Sequence, residues 1–525
     1  MGAALVFIIT AIIFITNFID NNTVVIPING GEYSEGSIGQ PTFINPVLSP
    51  NNGADSDLSS LMFATVKDMS DDIQSSEDKL TYNVRIKGDI FWQDNQPITS
   101  DDLIFTIRAI QDPDVNSPLA SSWKGVKVQR ISEREVQITL PTAYSFFDNI
   151  LANLKPIPKH IFENIPFANI RLSDYNLEPI GSGPFKFSTF EKRKDGFITT
   201  YTLEKNDKAF SRNPYINTFT MKFYTTEDDL VKAFNSGDID GISLTATDDI
   251  SKISIPHDLM QIQMPRYYAV FFNGNNNPLL KDLNIRTALN AATDRNQVTK
   301  DVFNDLAYPI NGPALDNASN TQEFSVDKAN QILDSLGWVK NNDGTRTMTD
   351  KTGTKNLEFT LTVYPSPFLI KTAQILQNQW SQAGIKISID TPSIDDFTDI
   401  IKSRNYDMLL FGNIYGENLD PYSFWYSNQK FYPGLNLSLY ENKNADSVID
   451  QIRTTFDENN RKNEMEKLQS IITSDQPAIF LYSPYYIYAT NKVLKGFDEK
   501  YLPLPNDRFN NIQNWYVKSS RTFKK

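Results

Sequence analysis

The 525 residues exceed what one hydrophobic core organises, since cores stop growing at roughly 250–300 residues, so two or three packed units are expected. Hydrophobic residues at 40%, charged residues at 22% and aromatics at 12% are the proportions of a globular protein and exclude a disordered or fibrous chain. Lys and Arg number 50 against 63 Asp and Glu, and the net charge of −13, with no acidic tail or basic block, argues against nucleic acid as a partner. From Ala3 to Ile19 the chain is almost uninterruptedly apolar, close to the ~20 residues with which a helix spans a bilayer core. No basic residue precedes this run, and no small-x-small site follows it between Asn17 and Pro27, which favours a retained anchor over a cleaved signal peptide. No second run of this kind follows, so a soluble body on one side of the membrane is expected.

Residues 28–60 are rich in Gly, Pro, Asn and Ser and read as turns and short extended pieces. Tyr82, Val84 and Ile86 alternate with polar residues as a half-buried strand does, and the spacing predicts a hairpin with Ile90–Trp92. Thr99 with Asp102 forms a capping signal for a helix carrying Leu103, Ile107 and Ile110. Thr225 is the candidate cap of a second helix that carries Leu230 and Phe234 and ends at Gly237. A helix is expected over Pro367–Ala383, followed by a strand with Ile385, Ile387 and Ile389. A hairpin is expected around Asn341–Gly344. A helix bearing Met465, Leu468 and Ile472 should precede an aromatic strand from Ile479 to Tyr488. Helices and strands alternate throughout, without a fixed-period repeat.

Cys is absent, which excludes disulfides, thiolate nucleophiles and cysteine metal sites. His160 and His257 are the only histidines, each in a Pro-flanked polar stretch that reads as surface loop. No phosphate-loop, dinucleotide, zinc-protease or nucleophile-elbow motif occurs, so no cofactor, metal or catalytic residue is assigned and an enzyme is not expected. The acidic pairs Asp101-Asp102 and Asp395-Asp396 suit helix starts, and Gly181-Ser182-Gly183-Pro184 suits a tight turn rather than a phosphate cradle. Two aromatic, amide-rich stretches suit a ligand pocket instead: one holds Tyr268 and Asn273, the other Tyr415, Glu417, Asp420, Trp425 and Tyr426. Each is also compatible with core packing.

The segment from Asp282 through Arg286, Ala288 and Leu289 to Asp294-Arg295, preceded by Phe272-Asn273 and Pro278, resembles a hallmark of the bacterial extracellular solute-binding proteins of family 5, the peptide and nickel type. It departs from the family at Asn284 and Thr293. Other signatures resemble the family in the same order, among them Gly30-Gly31, Asn45-Pro46, Ile86 to Asp94, Ile180 to Phe185, Ser236 to Asp240, Tyr406-Asp407 and Asp420-Pro421.

The resemblance implies an α/β, two-lobed periplasmic-binding-protein-like fold of the class II type with an extra inserted subdomain, here preceded by one apolar helix. The implied division is residues 1–20 as the membrane segment, 21–263 as lobe 1 with an insert at about 55–178, 264–484 as lobe 2, and 485–525 returning to lobe 1. It further implies a monomeric substrate-binding component of an ABC-type importer on the extracytoplasmic face, periplasmic or at the cell surface. Such a component captures oligopeptides or dipeptides between its lobes and delivers them to a permease. An aspartate in the loop from Asn413 to Trp425 is implied to pair with the peptide's amino end; Asp420 is the first choice and Glu417 the reserve. The alternatives are a receptor for a metal chelate, sugar oligomer or opine, and, more remotely, a secreted enzyme or surface interaction protein.

Overall fold

A computed structural model describes residues 21–48, 52–209, 213–244, 250–315, 323–351, 353–416 and 418–524, together with Leu5, Ile9, Thr10, Phe14 and Phe18. The apolar run from Ala3 to Ile19 therefore falls largely outside the described residues, and among these no helix is long and apolar enough to cross a membrane. Two large sheets organise the body. A seven-stranded sheet runs in the order His257–Ile262, Tyr486–Asn491, Gly241–Leu244, Glu32–Ile38, Thr218–Tyr224, Ile198–Lys205 and Phe185–Lys192. A six-stranded sheet runs Ala307–Pro309, Ala478–Pro484, Arg266–Phe272, Met408–Ile414, Glu358–Val363 and Lys386–Asp390. A four-stranded antiparallel sheet, Ser70–Ser75, Thr81–Ile86, Glu135–Thr139 and Lys127–Ser132, packs into the same core as the first.

The chain crosses between the large sheets through Gln263–Pro265 and again at Tyr485. Arg266 ties the crossings together, its Nε donating to the Pro484 carbonyl at 3.2 Å and its Nη2 to that of Tyr485 at 2.9 Å. The aromatic run from Ile479 to Tyr488 is therefore two strands in different sheets, not the single strand expected. Nearly every residue on both sides of the break is buried, so no in–out alternation marks where one strand ends. Along Arg266–Phe272 the alternation instead sorts the two faces. Tyr267, Ala269 and Phe271 face one core with Trp425 and Phe480, while Val270 and Phe272 face another with Leu289 and Trp380.

Most of the expected elements stand as spaced. Thr99 and Asp102 form a reciprocal capping box on Ser100–Gln111, and Pro367–Gln382 is helical. The second helix is Glu227–Ser236, capped by Thr226 rather than Thr225 and closed by Gly237 at φ +77°. The strand Thr81–Ile86 pairs with Ser70–Ser75 and Glu135–Thr139, not with Ile90–Trp92; Phe91 makes only a single bridge to Pro97. Ser-Asp-Asp-Ile-Gln-Ser is too polar to announce itself as the true partner. His160 lies in the short helix Lys159–Phe162 with Nε2 2.7 Å from Asp94 Oδ2, and His257 opens a strand, so neither is in a loop.

The family-like motifs have structural tasks here. Arg286 donates to the carbonyls of Leu280, Lys281, Asp475 and Gln476 at 2.8–2.9 Å, fastening one helix start to the end of another. Buried Arg295 holds the Phe480 carbonyl at 2.7 Å, and Thr293 accepts from Trp380 Nε1 at 3.0 Å. In the Gly181-Ser182-Gly183 turn, the Ser182 and Gly183 amides both donate to the Met62 carbonyl, at 2.9 and 2.7 Å. A Cβ on Gly181 would lie 2.1 Å from that oxygen, so the turn needs glycine for close approach rather than for binding phosphate.

Candidate ligand-binding site

The strand Met408–Ile414 delivers the loop containing Tyr415, Asp420, Trp425 and Tyr426 to the crossing point, where the Tyr415 amide donates to the Pro265 carbonyl at 2.9 Å. The loop ends in a one-turn helix, Tyr422–Trp425, whose entry is fixed by the Tyr422 amide donating to Asp420 Oδ1 at 3.0 Å. The other carboxylate oxygen, Asp420 Oδ2, accepts from Arg453 Nε at 3.1 Å and from the Tyr144 hydroxyl at 2.8 Å. The Arg453 guanidinium sits 4.1 Å from the Tyr422 ring centroid and 5.0 Å from that of Tyr144.

Tyr144 follows the four-stranded sheet, whereas Arg453 lies in the helix Lys443–Thr454. The segment that follows the four-stranded sheet is pinned to that helix by the Ser145 amide donating to the Arg453 carbonyl at 2.8 Å. The Ser145 hydroxyl donates to the Ile452 carbonyl at 2.9 Å, and Phe146 is buried in the lobe 2 aromatic cluster. Burial, reinforced by the Asp420 charge, pushes the Tyr144 phenol well up, so it remains a donor at every physiological pH. Asp420 is thus held in a clasp between the two segments, with its charge already matched.

Tyr415 and Trp425 lie together around Tyr267, whose ring is 5.8 Å from that of Tyr415, and Asn413 Nδ2 donates to the Tyr267 hydroxyl at 2.8 Å. The Tyr415 hydroxyl and Trp425 Nε1 are buried without a hydrogen-bond partner among the described residues. Burial drives the Tyr415 phenol far above its ordinary range. Tyr426 turns outward, its ring tilted against that of Tyr422 at 4.7 Å and its hydroxyl donating to Asp450 at 3.2 Å.

The other two sequence-picked residues stand apart. Tyr268 faces the opposite side of the sheet, against Phe368 and Tyr482, in space left by Gly412, where a Cβ would come within 2.6 Å of its ring. Asn273 is spent inside lobe 2, its amide donating to the Arg404 carbonyl at 2.7 Å and its oxygen accepting from the Asn275 and Asn276 amides. Glu417 lies outside the described residues. Sequence reading missed Tyr144 and Arg453, whose partner Asp420 is too distant along the chain for any local pattern to show.

A cavity of ≈480 Å³ lies beside this loop, lined by Asp57, Ser59, Trp123, Ile150, Asn153, Lys155 and the C-terminal Leu504–Asn506, with Asn418 contributed from the loop. Its carboxylate is already engaged: Asp57 accepts from Arg508 Nη1 at 2.8 Å and Nη2 at 2.6 Å. Lys155 Nζ donates to Ser60 at 2.8 Å. What remains toward the cavity is hydroxyl, amide and apolar surface, which suits a neutral extended chain and bridging water better than a single point charge. Among the described residues no cluster of three or more His, Asp or Glu has the arrangement to hold a metal ion.

Two α/β lobes joined by crossing strands, with an aromatic loop at the crossing and a cavity beside that loop, define a two-lobed solute receptor. The chain belongs to the bacterial extracellular solute-binding proteins of family 5, whose middle-region pattern matches residues 64–433. It is 29% identical over 519 residues to the oligopeptide-binding protein AppA of Bacillus subtilis, covering 94% of this chain and 92% of that one. The solved structure of that protein, in complex with a nonapeptide, superposes with a TM-score of 0.72 at 26% identity, covering 94% of this chain and all of the other. The ABC transporter substrate-binding protein CtaP of Listeria monocytogenes gives a TM-score of 0.80 at 25% identity over 93% and 99% of the two chains. NikZ of Campylobacter jejuni, in complex with Ni(L-His), shares the fold with a TM-score of 0.74 at 24% identity, over 92% of this chain and 99% of that one.

Proposed function

We propose that this protein captures peptides between its lobes for an ABC-type importer, binding without turning them over, and that its apolar N-terminal run holds it at the extracytoplasmic face of the membrane. The lobes are read as residues 21–263 with 485–525, and 264–484, with an insert at about 55–178. Sheet membership supports this division, because Tyr486–Asn491 lies in the sheet that Glu32–Ile38 begins. One observation carries the peptide reading. The cavity beside the aromatic loop offers amides, hydroxyls and aromatic surface, while its one carboxylate and one ammonium are both engaged by protein partners. A peptide main chain can be paired there whatever its side chains. A nickel chelate, the ligand seen in one structural relative, would find no histidine or free carboxylate in this lining.

The loop contributes two carboxylates, and Asp420 is matched by Arg453 and Tyr144. We therefore assign the amine-pairing role to Glu417 and the clasp to Asp420. Titration calorimetry of mixed-sequence peptides of several lengths tests the reading. Saturable binding with a negative heat-capacity change, and no loss of peptide on prolonged incubation, is expected. Hydrolysis above a protein-free control would contradict it.

A further inference from the structure

At the base of the molecule Thr23–Pro27 pairs antiparallel with Ser519–Phe523, placing Val24 opposite Thr522 and Val25 opposite Arg521. The Ile28 amide donating to the Lys518 carbonyl and the Lys524 amide donating to the Asn22 carbonyl extend the pairing at both ends. The ribbon is about 20 Å long at the usual rise per residue. Both faces are open, with Val24 42% exposed on one and Val25 50% exposed on the other. A two-stranded ribbon is marginal in water by itself, and apolar residues exposed along it call for cover.

The charge of the ribbon runs against that of the chain. From Phe509 onward the sequence carries Lys518, Arg521, Lys524 and Lys525 and no acidic residue, within a protein of net charge −13. Spaced by Ser, Thr and Phe, these cations do not read as a basic block. The pairing carries Lys518, Arg521 and Lys524 along one side of the ribbon and sets Lys524 beside Asn22, three residues past the end of the apolar run at Ile19. Arg521 reaches across to Thr23, Nη1 to Oγ1 at 3.1 Å, on the strand that continues from that run.

We propose that this ribbon is a lipid-docking element whose basic strand binds anionic headgroups while Val25 and Phe523, which share one face, enter the acyl boundary. The inference rests on the reading that Ala3–Ile19 lies in the membrane. That continuity selects a bilayer as the occupant, and the complementary charge selects an anionic one. Elsewhere the acidic body is repelled by such a surface, so the ribbon fixes which end of the molecule faces it.

The test uses the full chain reconstituted into vesicles. Because the protein has no cysteine, Ser519→Cys gives a single thiol for a fluorophore at the far end of the ribbon. Quenching by headgroup-labelled lipid is compared in phosphatidylcholine vesicles with and without phosphatidylglycerol. Each cation at an anionic surface shifts the docked population by about fivefold. Quenching should therefore rise when phosphatidylglycerol is present, and should return to the neutral-vesicle level in high salt or in the quadruple Gln variant of Lys518, Arg521, Lys524 and Lys525. Equal quenching in both vesicle types, or an excess that survives the quadruple substitution, would overturn the proposal and leave the strand to a protein surface. Flotation with neutral vesicles reports the apolar anchor separately. A chain that fails to float with them yet docks on anionic vesicles through the four cations would refute anchoring and still support the ribbon.

Discussion

Replacing Arg508 by leucine should cost about 3–5 kcal/mol of stability, the usual penalty for removing one partner of a buried ion cluster. The guanidinium is 2% exposed and bridges Glu35 Oε1, at 2.9 Å from Nε and 2.5 Å from Nη2, to both oxygens of Asp57. It thereby joins the first strand of the large sheet, the helix Gly53–Met62 and the C-terminal turn Pro505–Phe509. Without it two buried carboxylates lose their cation, and among the described residues Tyr488 still donates to Glu35 at 2.8 Å. Denaturant unfolding of Arg508→Leu would measure the loss, and a change below about 1 kcal/mol would show that the cluster is hydrated in solution.

The same cluster gives a pH dependence. Burial raises the Glu35 pKa above its ordinary value, outweighing the Arg508 charge. A raised folded-state pKa contributes stability that is fully present below the unfolded value and is lost as pH rises through the folded one. The stability of Glu35→Gln relative to the native chain should therefore improve from about pH 4 toward pH 7. An opposite trend would show that Glu35 is held ionised by Arg508.

Glu417→Gln should lower affinity for a peptide with a free amino end by about 2–5 kcal/mol, and barely change affinity for the N-acetylated form, because only the former brings a cation to be paired. Asp420→Asn should behave differently. Its carboxylate is 17% exposed and its Arg453 partner 32%, so the loss of the clasp should cost about 1–2 kcal/mol for both peptides alike. Tyr144→Phe should reproduce part of that loss, because it removes one donor to the same oxygen. Calorimetry on the three variants with the two peptides forms the required cycle. A loss on Asp420→Asn confined to the free peptide would return the amine site to Asp420 and dismiss the clasp.

The distribution of these residues explains what was legible in the sequence. Elements set by local chemistry could be read directly: the Thr99–Asp102 box, the Gly237 stop, the apolar stripe of Pro367–Gln382 and the aromatic loop from Tyr415 to Trp425. Features that depend on contacts between distant residues could not. Asp420 looked available because Arg453, 33 residues away, and Tyr144, 276 residues away, leave no local trace. Tyr268 and Tyr267 are adjacent and chemically alike, and only the register against Met408–Ile414 decides which one joins Trp425. Arg508, Glu35 and Asp57 are each unremarkable in their own segments and form a cluster only when the C-terminus returns to the first sheet.

The central claim, that the protein holds peptide between its lobes, is tested most directly by mass spectrometry of the ligand that accompanies the native protein through purification. The expected result is a mixture of short peptides of varied sequence, released on denaturation and displaced by an added synthetic peptide. A single non-peptide solute recovered in stoichiometric amount, such as a metal chelate or an opine, would contradict it.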